Sequence, residues 1–320
     1  MSTSVQPAPS PYSPSPSQVA FAYSVCRHIT RSSAKNFYYA FLVLPKRKRR
    51  ALCAVYAFMR RCDDIADDPN LPLAERRNRL ADVLEALHRA QAGWPTDDAV
   101  LLAVTDAQRR FKISSDLLDQ LAHGTMMDVE QAAEQAEEQY GDATPGETHL
   151  SVRYRTFDDL YHYCYRVASV VGLVCIRVFG YRDRKAEILA ERCGLAFQLT
   201  NIIRDVKEDA LMGRVYIPEE DLAKFEVSAY DLPPATKARR FRPLLEMEAD
   251  RAREYYKAGE ELIPLVEEDS QPALWVLITI YRRLLEKIAR QRYDVFHGKI
   301  SLTVREKLII LIKGFLKRLA

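Results

Sequence analysis

From residue 18 onward the apolar residues of this 320-residue chain recur every three to four positions, segment after segment, and no run alternates with the two-residue period of a strand. The clearest case is the segment 46–68, where Leu52, Val55, Tyr56, Met59 and Cys62 share one helical face and Pro69 stops the pattern. The same reading predicts helices over 18–30, 37–44, 72–92, 97–112, 114–130, 156–179, 183–211, 236–266, 271–297 and 302–319. Glycine is scarce, at 11 residues, while helix formers such as Leu, Ala, Glu, Arg and Gln abound. The expectation is therefore an all-α chain folded as one domain over 18–320. Residues 1–17, MSTSVQPAPSPYSPSPS, carry repeated Pro and Ser with little to bury, and are expected to be a disordered leader. Residues 134–152 mix Glu, Gln, Gly, Pro and Thr and read as a loop after a helix end.

Bulk properties exclude several roles. With 47 basic and 44 acidic residues the net charge is only +3, which gives no electrostatic reason for a nucleic-acid partner. Cys26, Cys53, Cys62, Cys164, Cys175 and Cys193 form no C-x-x-C pair and mostly sit among apolar residues, the pattern of buried thiols in a reducing compartment without disulfides or zinc. There is no charged start followed by an apolar run, and no stretch of roughly 18–20 uninterrupted apolar residues. The expected location is the cytoplasm. Two features point to peripheral contact with the inner face of a membrane: the basic run 46–50 (KRKRR), and the stretch 302–319, which combines Leu, Ile and Phe with Lys307, Lys313, Lys317 and Arg318. The alternative for 302–319 is a closing helix packed on the bundle.

Chemistry concentrates in two Asp-x-x-x-Asp pairs. Four residues along a helix advance about 400°, so Asp63 and Asp67 point within ~40° of each other, one turn apart. The same holds for Asp205 and Asp209. Two like charges at that spacing repel, and a shared cation reverses the balance. Carboxylate oxygens suit Mg²⁺, which keeps several waters and bridges readily to substrate phosphates. Upstream of the second pair, Gln198 and Asn201 continue a polar stripe along an otherwise apolar helix marked by Leu199, Ile202, Ile203 and Val206. A solvated helix face is the alternative for either pair alone, but such a face usually mixes Lys with Glu. The six histidines show no metal-ligand spacing.

In this setting the chain resembles the squalene/phytoene synthases, which join prenyl diphosphates head to head. The resemblance rests on YAFMRRCDDIAD over 56–67, QLTNIIRDVKED over 198–209 followed by GRVYIP over 213–218, YCYRVASVVG over 163–172, and the late segments 281–283 (YRR) and 293–296 (YDVF). It covers nearly the whole chain after the leader. It implies an isoprenoid-synthase bundle around a central cavity, with Asp63, Asp67, Asp205 and Asp209 holding Mg²⁺, or Mn²⁺ in its place, against substrate diphosphate. It implies phosphate contacts from Arg60, Arg204 and Arg214 and a polar wall from Gln198 and Asn201. Tyr56, Tyr163, Tyr216 and Tyr281 match family positions beside the cavity, where aromatic faces stabilise a carbocation. Phe37, Val167, Ala168 and Gly172 match positions that shape the prenyl tunnel. In the segment 32–37 (SSAKNF), Lys35 is a diphosphate candidate and Ser33 either a substrate contact or a helix cap.

The implied reaction condenses two farnesyl diphosphates to presqualene diphosphate; the segments 36–41 (NFYYAF) and 293–298 (YDVFHG) resemble bacterial enzymes of the hopanoid branch. The alternative is a phytoene synthase acting on geranylgeranyl diphosphate. NADPH is required only if the enzyme continues to squalene. Two rivals carry less: a non-catalytic helical scaffold of the same family, against which both intact aspartate pairs argue, and a terpene cyclase or head-to-tail synthase, against which the 198–218 pattern argues. Oligomeric state is left open by the sequence.

Overall fold

A computed structural model of the chain describes residues 12–34, 36–139, 151–232 and 238–319. It is 77% helical, which places it in the all-α class. The helices gather in two compact units: one takes residues up to 34 together with 46–129, the other takes 35–45 together with 130 onward.

In the first unit, α1 (Pro16–Ser33), α3 (Lys46–Ala66) and α5 (Ala99–Phe111) pack on one another, and α4 (Leu73–Gln91) lies against α3 and α5. α6 (Ser115–Gln139) begins in this unit. The contact faces of α1 and α3 are built from small residues, among them Ala22 and Cys26 on α1 and Ala51, Cys53, Ala54 and Ala57 on α3. Thr30 hydrogen-bonds across them to the Cys53 carbonyl at 3.1 Å. α1 starts at Pro16, inside the stretch expected to be disordered. Ser15 forms a reciprocal capping box with Gln18, and Pro16 takes the first helical turn, where its missing N–H costs nothing. Tyr12 is also tied down, donating its backbone N–H to the Gly93 carbonyl at 2.8 Å. The rest of the expected leader, residues 1–11, lies outside the described residues.

The second unit is organised on α9 (Lys185–Leu211), 27 residues with buried side chains all round, as a central helix requires. Against it pack α11 (Ala238–Leu262), α12 (Gln271–Arg290), α8 (Val170–Phe179) and α7 (Phe157–Cys164). α2 (Phe37–Val43) and α13 (Val304–Leu319) pack on α12 and on each other. The expected helix over 156–179 is interrupted: a π-helical turn, Tyr165–Ser169, joins α7 to α8. The span Phe157–Phe179 is by length and composition apolar enough to cross a bilayer, but half of it is buried inside the protein, as a core helix is.

Four further departures from the sequence expectation have local causes. A parallel pair of two-residue strands, β1 (Ser151–Val152) and β2 (Arg214–Val215), is too short to show a period. α10 (Glu219–Lys224) is a six-residue helix following Pro218. α12 stops at Arg290, because Arg292 and Tyr293 turn the chain with φ of 57° and 58°. α6 continues to Gln139, into the expected loop, of which residues 140–150 lie outside the described residues. All six cysteines are buried and free.

Candidate active site

The second aspartate pair stands on α9, the first at the C-terminal end of α3, and each belongs to a different unit. On α3, Tyr56, Arg60 and Asp63 follow one another at spacings of four and three and share a stripe, and Asp67, in the turn just past the helix end, donates its backbone N–H to the Asp63 carbonyl at 2.9 Å. Tyr56, Arg60 and Asp63 are half-buried and Asp67 is exposed. Asp63 accepts a hydrogen bond from the Thr125 hydroxyl on α6 at 3.3 Å. Burial first, and repulsion from Asp67 second, push the Asp63 carboxyl up to about 6. Arg60 pairs at 2.5 Å with Asp64, one turn along. Arg61 pairs with Asp98, the residue that also caps α5 through the backbone N–H groups of Val100 and Leu101.

On α9, Gln198, Asn201, Asp205 and Asp209 form the second stripe, all half-buried. Arg204 grips Asp205 with two guanidinium nitrogens, Nε standing 2.8 Å from Oδ1. Lys299 adds a second cation at 2.8 Å. Burial pushes Asp205 upward, but these two cations outweigh it and hold the carboxyl below the usual carboxylate range. Asp209 is the opposite case. Burial, then repulsion from Asp205, push it up to about 7 against the pull of Arg214. Asp209, Arg214 and Tyr216 line one small cleft. Asn201 donates to Gln198 Oε1 at 3.4 Å, while its own Oδ1 is buried without a partner.

Two aromatic groups flank this helix in the second unit. In the first, Tyr281 stacks on Phe197 at 4.4 Å with the rings 15° apart, and Phe37 tilts against Tyr281 at 5.8 Å. Tyr281 is buried, and its hydroxyl is approached by the side-chain amides of Asn36 and Asn201. Tyr256 backs Phe197 and shares a 2.7 Å hydrogen bond with Thr200. In the second group, Tyr163 stacks on Tyr216 at 5.2 Å, Tyr154 lies 5.3 Å from Tyr163, and the Arg153 guanidinium sits 5.5 Å from the Tyr216 ring. The β1–β2 pair makes this group, because it brings 151–154 beside 214–216.

The remaining residues singled out by sequence fall as follows. Val167 and Ala168 lie half-buried in the π-helical turn. Gly172 is a packing position: a Cβ there would stand 2.7 Å from the Ala190 carbonyl oxygen of α9. Ser33 is the last residue of α1 and half-buried, not a cap at a helix start. Lys35 lies outside the described residues. Sequence reasoning did not find Thr125, Lys299, Phe197, Tyr154, Tyr256 or Asn36. Phe197 had a signal, since it directly precedes Gln198 on the polar stripe, but in an apolar run it reads as core. Lys299 had none, being 94 positions beyond Asp205 in a turn.

Comparison with known proteins gives the family and the fold. The squalene/phytoene synthase family pattern matches residues 30–306. A 15-cis-phytoene synthase from Synechococcus elongatus is 35% identical over 311 residues, 92% of this chain and 93% of that protein. Among solved structures, a dehydrosqualene synthase in complex with ligand superposes with a TM-score of 0.80 at 30% identity, over 93% of this chain and 96% of that one. The squalene synthase HpnC from Alicyclobacillus acidocaldarius superposes with a TM-score of 0.72 at 26% identity, over 87% and 97%.

Proposed function

The chain belongs to the squalene/phytoene synthase family, and from that membership we propose that it joins two molecules of geranylgeranyl diphosphate into phytoene. It is a prenyltransferase of the head-to-head type. The finer assignment departs from the farnesyl preference read from short sequence segments. The observation that carries it is the likeness to proteins named phytoene synthase, at 35% identity over 92% of this chain for the cyanobacterial one.

The carboxylates of Asp63 and Asp67, and separately those of Asp205 and Asp209, suit a hard divalent cation. Each pair offers two carboxylates four residues apart, too few to enclose a metal alone, which is how Mg²⁺ sites completed by substrate phosphates are built. The unpartnered Asn201 Oδ1 adds a further oxygen on the same stripe as Asp205 and Asp209. Asp63, Asp67, Asp205 and Asp209 would hold Mg²⁺, whose contribution is to neutralise the departing diphosphate. Arg204 is committed to Asp205 and orients it, while Arg214 lines the same cleft as Asp209 and would contact phosphate there.

In the first step the C1–O bond of one substrate breaks and the diphosphate leaves with the electron pair. The double bond of the second substrate attacks the C1 cation, and proton loss closes a cyclopropane that keeps the second diphosphate. In the next step that diphosphate leaves, the ring rearranges, and a second proton loss gives the linear hydrocarbon. No reductant enters this balance, whereas squalene formation needs a hydride from NADPH. The stacked rings of Tyr281 and Phe197, with Phe37 tilted against Tyr281, would offer aromatic surface to the cation and keep water from it.

The second reading is condensation of farnesyl diphosphate to presqualene diphosphate, favoured by the likeness to the solved squalene synthase HpnC. Incubation with Mg²⁺ and each diphosphate, with and without NADPH, followed by lipid identification, separates the two. Phytoene from geranylgeranyl diphosphate without NADPH is expected; turnover of farnesyl diphosphate alone overturns the assignment. Asp63→Asn and Asp205→Asn should each lower turnover about 10²-fold or more, and full activity in both would remove the metal assignment.

A further inference from the structure

A cleft of about 690 Å³ opens in the first unit between the start of α1, the first turn of α3 and the last turns of α5. One wall is cationic, with Lys46, Arg47 and Arg50 from α3 and Arg109 and Arg110 from α5. Asp106 is the one acid in the lining among the described residues. It is already occupied, accepting from Arg110 Nε at 2.6 Å and from the Tyr23 hydroxyl at 2.8 Å. Lys46, Arg47, Arg50 and Arg109 therefore share the cleft with no second carboxylate in its lining. The other wall is apolar and comes from Tyr12, Pro14, Pro16 and Val19. Two contacts hold it in place: the Tyr12 backbone N–H on the Gly93 carbonyl at 2.8 Å, and the capping box of Ser15 and Gln18.

Such a concentration of one sign works against the fold. Like charges repel, and α3 opens on Lys46 and Arg47 with no acid in its first turn, the reverse of what the positive end of a helix dipole favours. Isolated surface lysines and arginines are ordinary and solvated, but four in one concavity call for an anion of more than one charge. Guanidinium forks match phosphate oxygens in pairs, so a phosphate suits this wall better than a single carboxylate. The apolar wall gives the same molecule a place for a ring, with Tyr12 to stack on it. The cleft is separate from the aspartates, since Asp63 is thirteen residues beyond Arg50, ~20 Å along α3.

We propose that this cleft binds a small, multiply charged phosphate ester bearing an aromatic ring, its phosphate among Lys46, Arg50 and Arg109 and its ring against Tyr12 and Pro14. The assignment is independent of which prenyl chain the aspartates hold.

The test is fluorescence titration of the full chain with naphthyl phosphate and calorimetry with inorganic triphosphate. Both are run in a chelator, so that no metal draws phosphate to the aspartates. Both probes should bind, and added salt should weaken both. Lys46→Gln with Arg109→Gln, at two exposed positions, should weaken each about tenfold or more. Arg50→Gln should weaken each about fivefold. Tyr12→Ala should weaken naphthyl phosphate about fivefold and leave inorganic triphosphate unchanged. Circular dichroism, and turnover without either probe, should match wild type in all three, since none of these residues belongs to the active site. Arg214→Gln, beside Asp209, should leave both affinities unchanged. No binding by the wild-type chain, or equal binding by the double variant, overturns the proposal. So does binding that Arg214→Gln abolishes, because the probe then sits at the aspartates. Capture of the chain by phosphatidylglycerol vesicles while neither soluble probe binds gives the cleft to lipid head groups and overturns it too.

Discussion

One helical turn separates Asp205 from Asp209 on α9, and their surroundings pull them in opposite directions. Asp205 is held by Arg204 and Lys299; Asp209 is raised to about 7 by burial and by Asp205 itself. Asparagine substitutions should therefore change the stability of the metal-free protein with opposite signs. Asp205→Asn leaves two cations without their carboxylate and should cost about 1–3 kcal/mol. Asp209→Asn relieves a repulsion and should gain about 1 kcal/mol. Urea denaturation in the presence of a chelator reads both; a loss in each case would mean that Asp209 is not strained. The pairs themselves were legible in the sequence, because spacing along a helix fixes which side chains share a face. Their unequal environments were not, because Lys299 and Thr125 arrive from distant segments, and only folding makes them neighbours.

At the scale of elements, most helices were legible and their close contacts were not. Periodicity locates α9, but it does not reveal that Gly194 sits where a Cβ would stand 2.7 Å from the Ala168 carbonyl oxygen and 2.8 Å from the Ser169 Cα, in the π-helical turn. Backbone, not flexible side chain, fills that space, so Gly194→Ala should destabilise by about 1–3 kcal/mol or more. Gly298, with no atom within 4 Å of an added Cβ, is the control, and its alanine variant should lie within about 0.5 kcal/mol of wild type. Chemical denaturation of the two variants side by side checks the contrast. The π-helical turn left no mark on the apolar pattern, since its five residues keep the polarity of the helices on either side. The early stop of α12 was equally hidden, because left-handed φ at Arg292 and Tyr293 falls on residues that do not announce it.

For the whole molecule, the pH profile of stability should carry the signature of three raised carboxyls, those of Asp63, Asp209 and Glu248. Glu248 on α11 and Asp221 on α10 share Arg251, at 2.9 and 2.8 Å. Burial raises the Glu248 carboxyl to about 7, with Arg251 opposing and Asp221 reinforcing the shift. An acid with a raised folded-state pKa stabilises the fold below its unfolded value and loses that contribution as pH rises through the folded one. Stability should thus decline between about pH 4.5 and 7, and Glu248→Gln should make the decline in thermal melts shallower, leaving the share of Asp63 and Asp209. The all-α class was legible from periodicity alone. The place of residues 35–45 was not, because α2 packs on α12 and α13, more than 200 positions later. That interleaving also has a consequence in time. The ribosome releases α2 early, and the 228 positions from Val43 to Gln271 take on the order of 10–50 s to translate. Through that interval Phe37 has no Tyr281 to pack on. The Phe37–Tyr281 contact is therefore a late product of synthesis, formed long after the chain has completed α3.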